Sequence, residues 1–178
     1  MGYFSIIKDA DIFENPDEEP KEYKVRPTAK GIVLDGDGRI ALLSNGEHSL
    51  FPGGGVDVGE SFEEAFIREC KEEIGCDVEV LSHIGNACHF RAKNMTKYDV
   101  HFFVGRVIGE KGLPTTTDRG ELACVVDWLP NDEVLAILEA QMSTMREDDY
   151  PAHFNCPTHL AVFKKYLEMT PKVADLTD

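Results

Sequence analysis

The chain has 178 residues, which is enough for one domain with a substantial core and short for two. Its formal charge of −15 opposes general nucleic-acid binding, and no stretch reaches the apolar length of a membrane span. Acidic residues interrupt the N-terminal region early, which argues against a signal peptide, and the five cysteines form no C-x-x-C pair. We therefore expect a cytoplasmic protein with reduced thiols that associates with no membrane.

Residues 1–26 form an acidic N-terminal arm with a short apolar start and two X-Pro interruptions. This pattern is compatible with an added edge strand, with a segment exchanged with a second subunit, or with a partly mobile arm. The main domain is predicted to cover residues 27–170, and residues 171–178 form a polar tail.

Strand patterns dominate the first part of the main domain. The sequence Asp35-Gly36-Asp37-Gly38 is a strong hairpin turn between two apolar segments. A bend is predicted at Gly85, and residues 109–120 are predicted to form a loop. The predicted strands cover residues 29–34, 40–43, 77–84, 98–108 and 121–129. The third of these is predicted to continue over residues 86–92.

The first predicted helix follows a glycine run and has clear ends. Ser61 is a suitable N-cap, Glu64 stands where a capping box requires it, and Gly75 is a natural stop. Residues 61–74 contain neither Gly nor Pro, and most of them are good helix formers.

Two further helices are predicted in the second half of the chain. One covers residues 132–141 with Asn131 as its cap, and the other covers 158–168 and begins near Pro157. Residues 142–154 are predicted to be polar and irregular. The order of elements indicates a mixed β-sheet with flanking helices, an α+β fold arranged as an α/β/α sandwich.

Three carboxylates share one face of the first predicted helix. Glu69, Glu72 and Glu73 are spaced i, i+3 and i+4, where like charges repel. An apolar stripe lies beside them and would dock the helix on a core; it consists of Phe66, Cys70 and Ile74. Such oxygen ligands suit Mg²⁺ or Mn²⁺, whereas a plain solvated acidic face is the alternative interpretation.

The glycine run before the helix consists of Gly53, Gly54 and Gly55. Without a Cβ atom, this backbone can approach a phosphate group or a metal shell closely. We therefore predict a phosphate-binding loop at this position.

The spacing from Gly54 through Glu60 and Arg68 to Gly75 resembles the Nudix box, Gly-x5-Glu-x7-Arg-Glu-U-x-Glu-Glu-x-Gly-U, where U is a bulky aliphatic residue. The match spans 23 residues, and only the two aliphatic positions differ, since they hold Cys70 and Cys76. Cysteine behaves as a small hydrophobe when buried, so these differences affect packing more than chemistry.

The resemblance implies an αβα sandwich that hydrolyses a nucleoside diphosphate linked to another moiety, using a metal-activated water. It implies that Glu69, Glu72 and Glu73 hold the metal and that Glu60 supports them. Glu72, Glu73 and Arg68 are the implied catalytic residues, with Arg68 orienting Glu69. Gly54 and Gly75 have backbone roles, and a homodimer is a family-based expectation.

Beyond the box, the resemblance implies an additional acidic ligand or general base in a later loop. Glu121 is the candidate, and Glu110 and Asp118 are its rivals; a solvated glutamate at a strand end is an equally good interpretation. The remaining polar and aromatic candidates are interpreted as packing or turn residues: His89, His101, Phe154 with Asn155, and Trp128.

The sequence does not select a substrate. Ala92 stands where ADP-ribose hydrolases of the family often have Pro, and Lys93 stands where dinucleoside polyphosphate hydrolases often have Tyr. Nucleoside triphosphates, nucleotide sugars and dinucleoside polyphosphates therefore stay open. The alternatives to hydrolysis are an inactive nucleotide-binding sensor and an isoprenoid diphosphate isomerase, although Cys70 is poorly placed for the catalytic cysteine of such an isomerase.

Overall fold

The computed structural model describes residues 2–117 and 123–170. The strands within these ranges are β1 (Tyr3–Lys8), β2 (Lys24–Leu34), β3 (Ile40–Ser44), β4 (Ser49–Leu50), β5 (Gly53–Gly55), β6 (Val78–Arg91), β7 (Thr96–Val107) and β8 (Val125–Leu129). The α-helices are α1 (Phe62–Ile74), α2 (Asn131–Thr144) and α3 (Ala152–Met169). No helix among these residues is long and apolar enough to cross a bilayer.

All eight strands belong to one sheet with the order β1-β6-β7-β2-β3-β4, while β5 pairs with β2 and β8 pairs with β3. The central pair, β2 and β7, is parallel, and so is the edge pair of β1 and β6. β6 and β7 are antiparallel. The mixed sheet predicted from the sequence is therefore confirmed, and the arm contributes its edge strand.

The helices lie on opposite faces of this sheet. On one face, Phe66 and Cys70 of α1 are fully buried against residues such as Val33 of β2. On the other face, Leu138 of α2 and Phe163 of α3 pack over a second apolar cluster. Burial of an apolar stripe from each helix on each sheet face gives the predicted α/β/α sandwich.

α1 begins and ends where the sequence predicts. The Ser61 hydroxyl accepts a hydrogen bond from the Glu64 N–H at 3.2 Å, and the Glu64 carboxylate accepts one from the Ser61 N–H at 2.8 Å. Gly75 ends the helix in the left-handed conformation, with φ of 67°. The helix lies very close to the sheet, because a Cβ atom at Gly31 would be 2.6 Å from the Phe66 ring.

The two later helices differ from the prediction. α2 starts at Asn131 directly after Pro130 and extends to Thr144, so Asn131 is not its cap. α3 starts at Ala152 and contains Pro157 in its interior, so its predicted start at residue 158 is wrong. The irregular segment is accordingly shorter than residues 142–154.

α3 can contain a proline because its first turn forms before that residue. The Pro151 carbonyl accepts hydrogen bonds from the N–H groups of Phe154 and Asn155, at 3.2 and 3.0 Å. Pro157 removes one later hydrogen bond, and the burial of Phe154 and Cys156 offsets that loss.

Several strands differ from the prediction in length or regularity. β2 begins at Lys24, five residues before the predicted start, and β8 begins only at Val125. The prediction for residues 121–122 lies outside the described part of the chain. The register of β6 shifts against β7 between His83 and Gly85, beside the position of the predicted bend, and the strand continues to Arg91.

Candidate active site

The glycine run forms the short strand β5 beside α1, so the prediction of a loop at this position is wrong. Its three glycines pair with residues 28–30 of β2 and contact the second half of the helix, at Arg68, Glu69 and Glu73. A Cβ atom at Gly54 would lie 2.5 to 2.8 Å from the carboxylate atoms of Glu69. Only a glycine allows this carboxylate to lie against the strand.

The Gly53 peptide is held on both sides. Its N–H donates to Glu73 Oε2 at 2.6 Å, and its carbonyl accepts a hydrogen bond from the Lys30 ammonium. Gly53 has a φ of 130°, and a Cβ atom there would overlap the carbonyl oxygen of Ala29. The glycine strand is therefore fixed to the helix through Glu73 and to β2 through Lys30.

Arg68 connects the carboxylates of the helix. Its guanidinium donates to Glu60 at 3.0 and 3.1 Å, to Glu69 at 2.9 Å and to Glu72 at 3.1 Å. It also donates to the Gly55 carbonyl at 2.8 Å. One cation thus positions three glutamates relative to the glycine strand.

The electrostatic balance of this cluster is negative. Glu69 and Glu73 are buried, with 7% and 8% exposure, whereas the Glu72 side chain is 41% exposed. The hydrogen bond from Arg68 lowers the pKa of Glu60 despite partial burial, and the same bond raises the pKa of Arg68. Three carboxylates around the Arg68 guanidinium, with Glu73 beside the Lys30-bound glycine strand, leave excess negative charge, and their oxygens suit a divalent cation.

The loop after β7 docks on the C-terminal end of α1. The N–H groups of Thr115 and Thr116 donate to the Glu72 carbonyl at 2.8 and 3.0 Å, and the Gly112 N–H donates to the Gly75 carbonyl at 2.9 Å. A Cβ atom at Gly75 would lie 2.5 Å from the carbonyl carbon of Leu113. Gly75 therefore permits both the helix end and the docking of this loop.

A cavity of about 300 Å³ opens on the sheet face that carries α3, next to the glycine strand. Its polar and charged lining comes from β2, β6, β7 and α3, with Glu73 at the end that faces α1. These side chains are Arg26, Thr28, Lys30, His89, Arg91, Tyr98, Asn155, Thr158 and His159. A carboxylate cluster and a cavity with basic lining therefore meet at one glycine strand.

The family model that matches the sequence is the NUDIX domain, over residues 24–150. The chain belongs to the Nudix family. The matched range contains the whole carboxylate cluster, the glycine strand, and the cavity residues contributed by the sheet.

Several curated proteins are similar to parts of this Nudix chain. A putative 8-oxo-dGTP diphosphatase of Bacillus subtilis is 34% identical over 53% of this chain and 62% of its own length. An RNA pyrophosphohydrolase of a Nitratiruptor species is 44% identical over 46% of this chain and 59% of its own length. The match thus spans less than two thirds of either relative.

Solved structures show the same fold. A NUDIX hydrolase from Nitrosomonas europaea superposes with a TM-score of 0.62 at 21% identity, covering 87% of this chain and 97% of its own. A MutT protein from Methanosarcina mazei Go1 gives a TM-score of 0.58 at 18% identity, covering 86% and 100%. At these identities the likeness concerns the Nudix fold alone.

The Nudix-box residues predicted from the sequence lie together, but the later candidates do not all join them. Glu121 and Asp118 lie outside the described residues, and Glu110 is exposed in the loop that docks on α1. Trp128 is half-buried beneath the Lys111 ammonium, 3.7 Å from its ring centroid, and packs at the margin of the core.

The two predicted strand histidines lie on opposite faces of the sheet. His101 stacks on Phe62 of α1 with ring centroids 3.6 Å apart. His89 is buried in the cavity wall, where burial lowers its pKa to about 3. His89 is therefore a neutral hydrogen-bonding group at physiological pH.

The interpretation of Asn155 as a turn residue is wrong. Asn155 lies in the first turns of α3, and its side-chain oxygen accepts a hydrogen bond from Arg91 at 2.7 Å. Sequence reasoning also missed Arg26, Lys30 and Arg91. The alternation of Arg26, Thr28 and Lys30 is the signal that could have revealed the basic face of β2.

A second group of possible ligands lies away from the Nudix box. Glu47, His48 and Asp149 each place one ligand atom within 4.8 Å of the other two, although Glu47 also pairs with Arg146 at 3.3 Å. The box glutamates do not form so tight a group within the described residues. Their carboxylates instead bond to Arg68 and to the Gly53 N–H.

Proposed function

We propose that this chain is a divalent-metal-dependent pyrophosphohydrolase that cleaves the diphosphate bond of a nucleoside diphosphate linked to another moiety. The observation that carries this proposal is the docking of the buried Glu69 and Glu73 carboxylates on the glycine strand. The names of the two curated relatives, a putative 8-oxo-dGTP diphosphatase and an RNA pyrophosphohydrolase, support the same reaction class.

The carboxylates fit a hard divalent cation such as Mg²⁺ or Mn²⁺, because every ligand atom that they offer is an oxygen. Glu69, Glu72 and Glu73 would hold it, with Glu60 in support. Such a cation, when bound, neutralises phosphate oxygens and lowers the pKa of a coordinated water.

The chain's own residues supply the positioning. Arg68 restrains Glu60, Glu69 and Glu72 so that several carboxylates do not drift apart through mutual repulsion. The glycine strand lets a diphosphate approach the backbone at the cavity mouth. Lys30 adds positive charge beside the glycine strand, which favours an anionic substrate there.

The general base stays a prediction. Glu72 and Glu73 are the catalytic candidates within the box, and Glu121 is the candidate beyond it. The 27–170 domain boundary, the homodimer and the cytoplasmic location also stay predictions.

Two alternatives can be weighed against the structure. An isoprenoid diphosphate isomerase would need a reactive cysteine, but Cys70 is fully buried, and burial raises the pKa of its thiol well above the ordinary value. That thiol is therefore protonated and inaccessible, which disfavours the isomerase. An inactive nucleotide-binding sensor is separated from the enzyme only by a turnover measurement.

The test is a phosphate-release screen over nucleoside triphosphates, nucleotide sugars and dinucleoside polyphosphates, with coupling enzymes added. It is run with Mg²⁺, with Mn²⁺ and with a chelator, on wild type and on Glu73→Gln. Glutamine can still accept the Gly53 N–H, so this variant should fold and lose about 100-fold or more in kcat. Glu63→Gln removes an exposed carboxylate from the same helix and serves as the matched control.

Metal-dependent turnover that survives unchanged in Glu73→Gln would refute the proposed site. If no compound is turned over while nucleotides still bind tightly, the sensor is the better description.

A further inference from the structure

Arg91 is a buried arginine in the wall of the cavity. Only 6% of its surface is exposed, and its guanidinium lies between two aromatic rings. The guanidinium carbon is 4.3 Å from the ring centroid of Tyr98 and 4.9 Å from that of Phe154. Cation–π contacts with two rings restrain the position of the guanidinium.

A chain of hydrogen bonds fixes the orientation of this guanidinium. The Thr158 hydroxyl donates its single hydrogen to the Phe154 carbonyl at 2.8 Å, so His89 Nε2 must donate to Thr158 Oγ1, also at 2.8 Å. His89 Nδ1 is then an acceptor and faces Arg91 Nη2 at 3.4 Å. The second hydrogen of Nη2 is used by Asn155 Oδ1 at 2.7 Å.

The other donors of Arg91 have no protein acceptor within the described part of the chain. The buried Nε has no hydrogen-bond partner, and Arg91 forms no ion pair there. Burial lowers the pKa of Arg91. The Asp9 carboxylate opposes this shift without bonding to Arg91, because its two oxygens already accept from the Ala92 N–H and the Tyr150 hydroxyl, at 2.8 and 2.7 Å. A buried cation without an adjacent anion is costly, and an anionic ligand would relieve that cost.

The rest of the cavity shares this charge. Arg26 and Lys30 line it together with Arg91, whereas Glu73 is the only carboxylate among the described lining residues. Three cations around one space are unusual in a chain with a net charge of −15. Lys30 and Arg26 lie beside the glycine strand, where Lys30 bonds to the Gly53 carbonyl and a Cβ atom at Gly55 would be 3.7 Å from the Arg26 guanidinium. Arg91 is the lining cation that makes no such contact with this strand.

The position of the guanidinium fits a ligand that also reaches the carboxylate cluster. It lies over Tyr98 of β7, and β2 separates β7 from the glycine strand β5. Two strand spacings correspond to about 10 Å across the sheet. A group on the ribose of a nucleotide whose diphosphate lies at the glycine strand can bridge such a span.

We propose that Arg91, held by Asn155 and His89, binds a second phosphate group of the substrate, carried on the ribose and separate from the diphosphate that is cleaved. The inference rests on the proposed function for the nucleotide nature of the ligand. Arg91 is a specificity-determining residue in this proposal and takes no part in bond cleavage.

The test measures binding by calorimetry in chelator, so that no turnover is needed. The probes are adenosine 3′,5′-bisphosphate, adenosine 2′,5′-bisphosphate and adenosine 5′-monophosphate. Each bisphosphate carries one ribose phosphate, at the 3′ or the 2′ position, that the monophosphate lacks. Wild type should bind one bisphosphate about 10- to 100-fold more tightly than the monophosphate, because a charge-assisted hydrogen bond to a buried guanidinium is gained. In Arg91→Met this preference should fall to within about threefold of unity.

Two further variants make the result specific. Lys93→Met removes the same charge from an exposed position two residues away and should keep the wild-type preference. Arg91→Lys keeps the charge without the planar fork and should give an intermediate preference. If Arg91→Met fails to fold, as seen by circular dichroism, the intermediate value in Arg91→Lys decides.

Three outcomes would overturn the inference: equal binding of all three probes to wild type, no measurable binding of either bisphosphate to wild type, or an undiminished preference in Arg91→Met. A change in preference between adenosine and guanosine monophosphates in Arg91→Met, without a change in phosphate preference, would also overturn it, because Arg91 would then recognise a base edge. The hydrolysis screen is independent, so an inactive protein with an Arg91-dependent preference would refute the proposed reaction and leave this inference standing.

Discussion

Replacing Gly54 by alanine tests whether the position of the Glu69 carboxylate matters. The new Cβ atom would lie 2.5 Å from Glu69 Oε1, whereas ordinary contacts of a Cβ atom begin at 3.4 Å. The carboxylate oxygen therefore has to move by about 0.9 Å, away from the glycine strand and from its bond to Arg68. A displacement of about 1 Å in a catalytic constellation costs roughly 100-fold in rate, or about 2.7 kcal/mol in the activation barrier.

The same substitution should cost little stability. The atoms that must move are the far end of a glutamate side chain, and the Gly54 backbone has no positive φ. Alanine also reduces the conformational entropy of the unfolded chain, which contributes about 0.4–1 kcal/mol. We expect the free energy of unfolding of Gly54→Ala to stay within about 1 kcal/mol of wild type.

The assay combines kcat/KM on the substrate found in the screen with urea denaturation of the same samples. Gly36→Ala is the neutral control, because its added Cβ atom meets nothing within 4 Å. Gly53→Ala is the destabilising control, because its Cβ atom would strike the Ala29 backbone at a φ of 130°. Wild-type kcat/KM in Gly54→Ala would refute the reasoning, and a loss that follows lost stability would assign the effect to folding.

Three further predictions concern stability. Phe66→Ala should lower the free energy of unfolding by about 3–5 kcal/mol in urea denaturation, because the buried Phe66 ring lies against Gly31. A cost below about 1 kcal/mol would contradict this packing. Ser61→Ala should cost about 1 kcal/mol through loss of the N-cap, whereas Ser61→Asp should stay near wild type; equal losses would argue against capping. Burial lowers the pKa of His89 from 6.5 to about 3, so stability is lost as the pH falls below 6.5, when the unfolded chain takes up a proton that the folded chain does not bind. His89→Gln should flatten the pH profile of the unfolding free energy between pH 6.5 and about pH 3. Parallel profiles for wild type and His89→Gln would disprove this role of His89.

The Nudix box was predictable because its information is local. The cap at Ser61, the stop at Gly75 and the shared face of Glu69, Glu72 and Glu73 all follow from helical spacing within one segment. The contacts of Arg68 with three glutamates require only that the helix forms and that Glu60 precedes it.

The buried arginine of the cavity wall was not predictable in the same way. Arg91 meets Asn155 across 64 positions of sequence, and the two come together only because α3 packs on the face of the sheet that includes β6. Pro157 concealed the true start of α3, so Asn155 appeared to lie outside any helix. A proline signal indicates one missing hydrogen bond and says nothing of the tertiary burial that offsets it.

The parallel pairing of β1 with β6 has a consequence for the synthesis of the chain. Tyr3 lies opposite Asn86, so β1 leaves the ribosome about 80 residues before the strand that will cover it. At ordinary translation rates this interval is roughly 4–17 s, long on the timescale of collapse and strand pairing. The nascent chain must therefore keep the apolar residues of β1 unpaired for seconds, and the acidic segment that follows them supplies charge repulsion that opposes premature association with neighbouring chains.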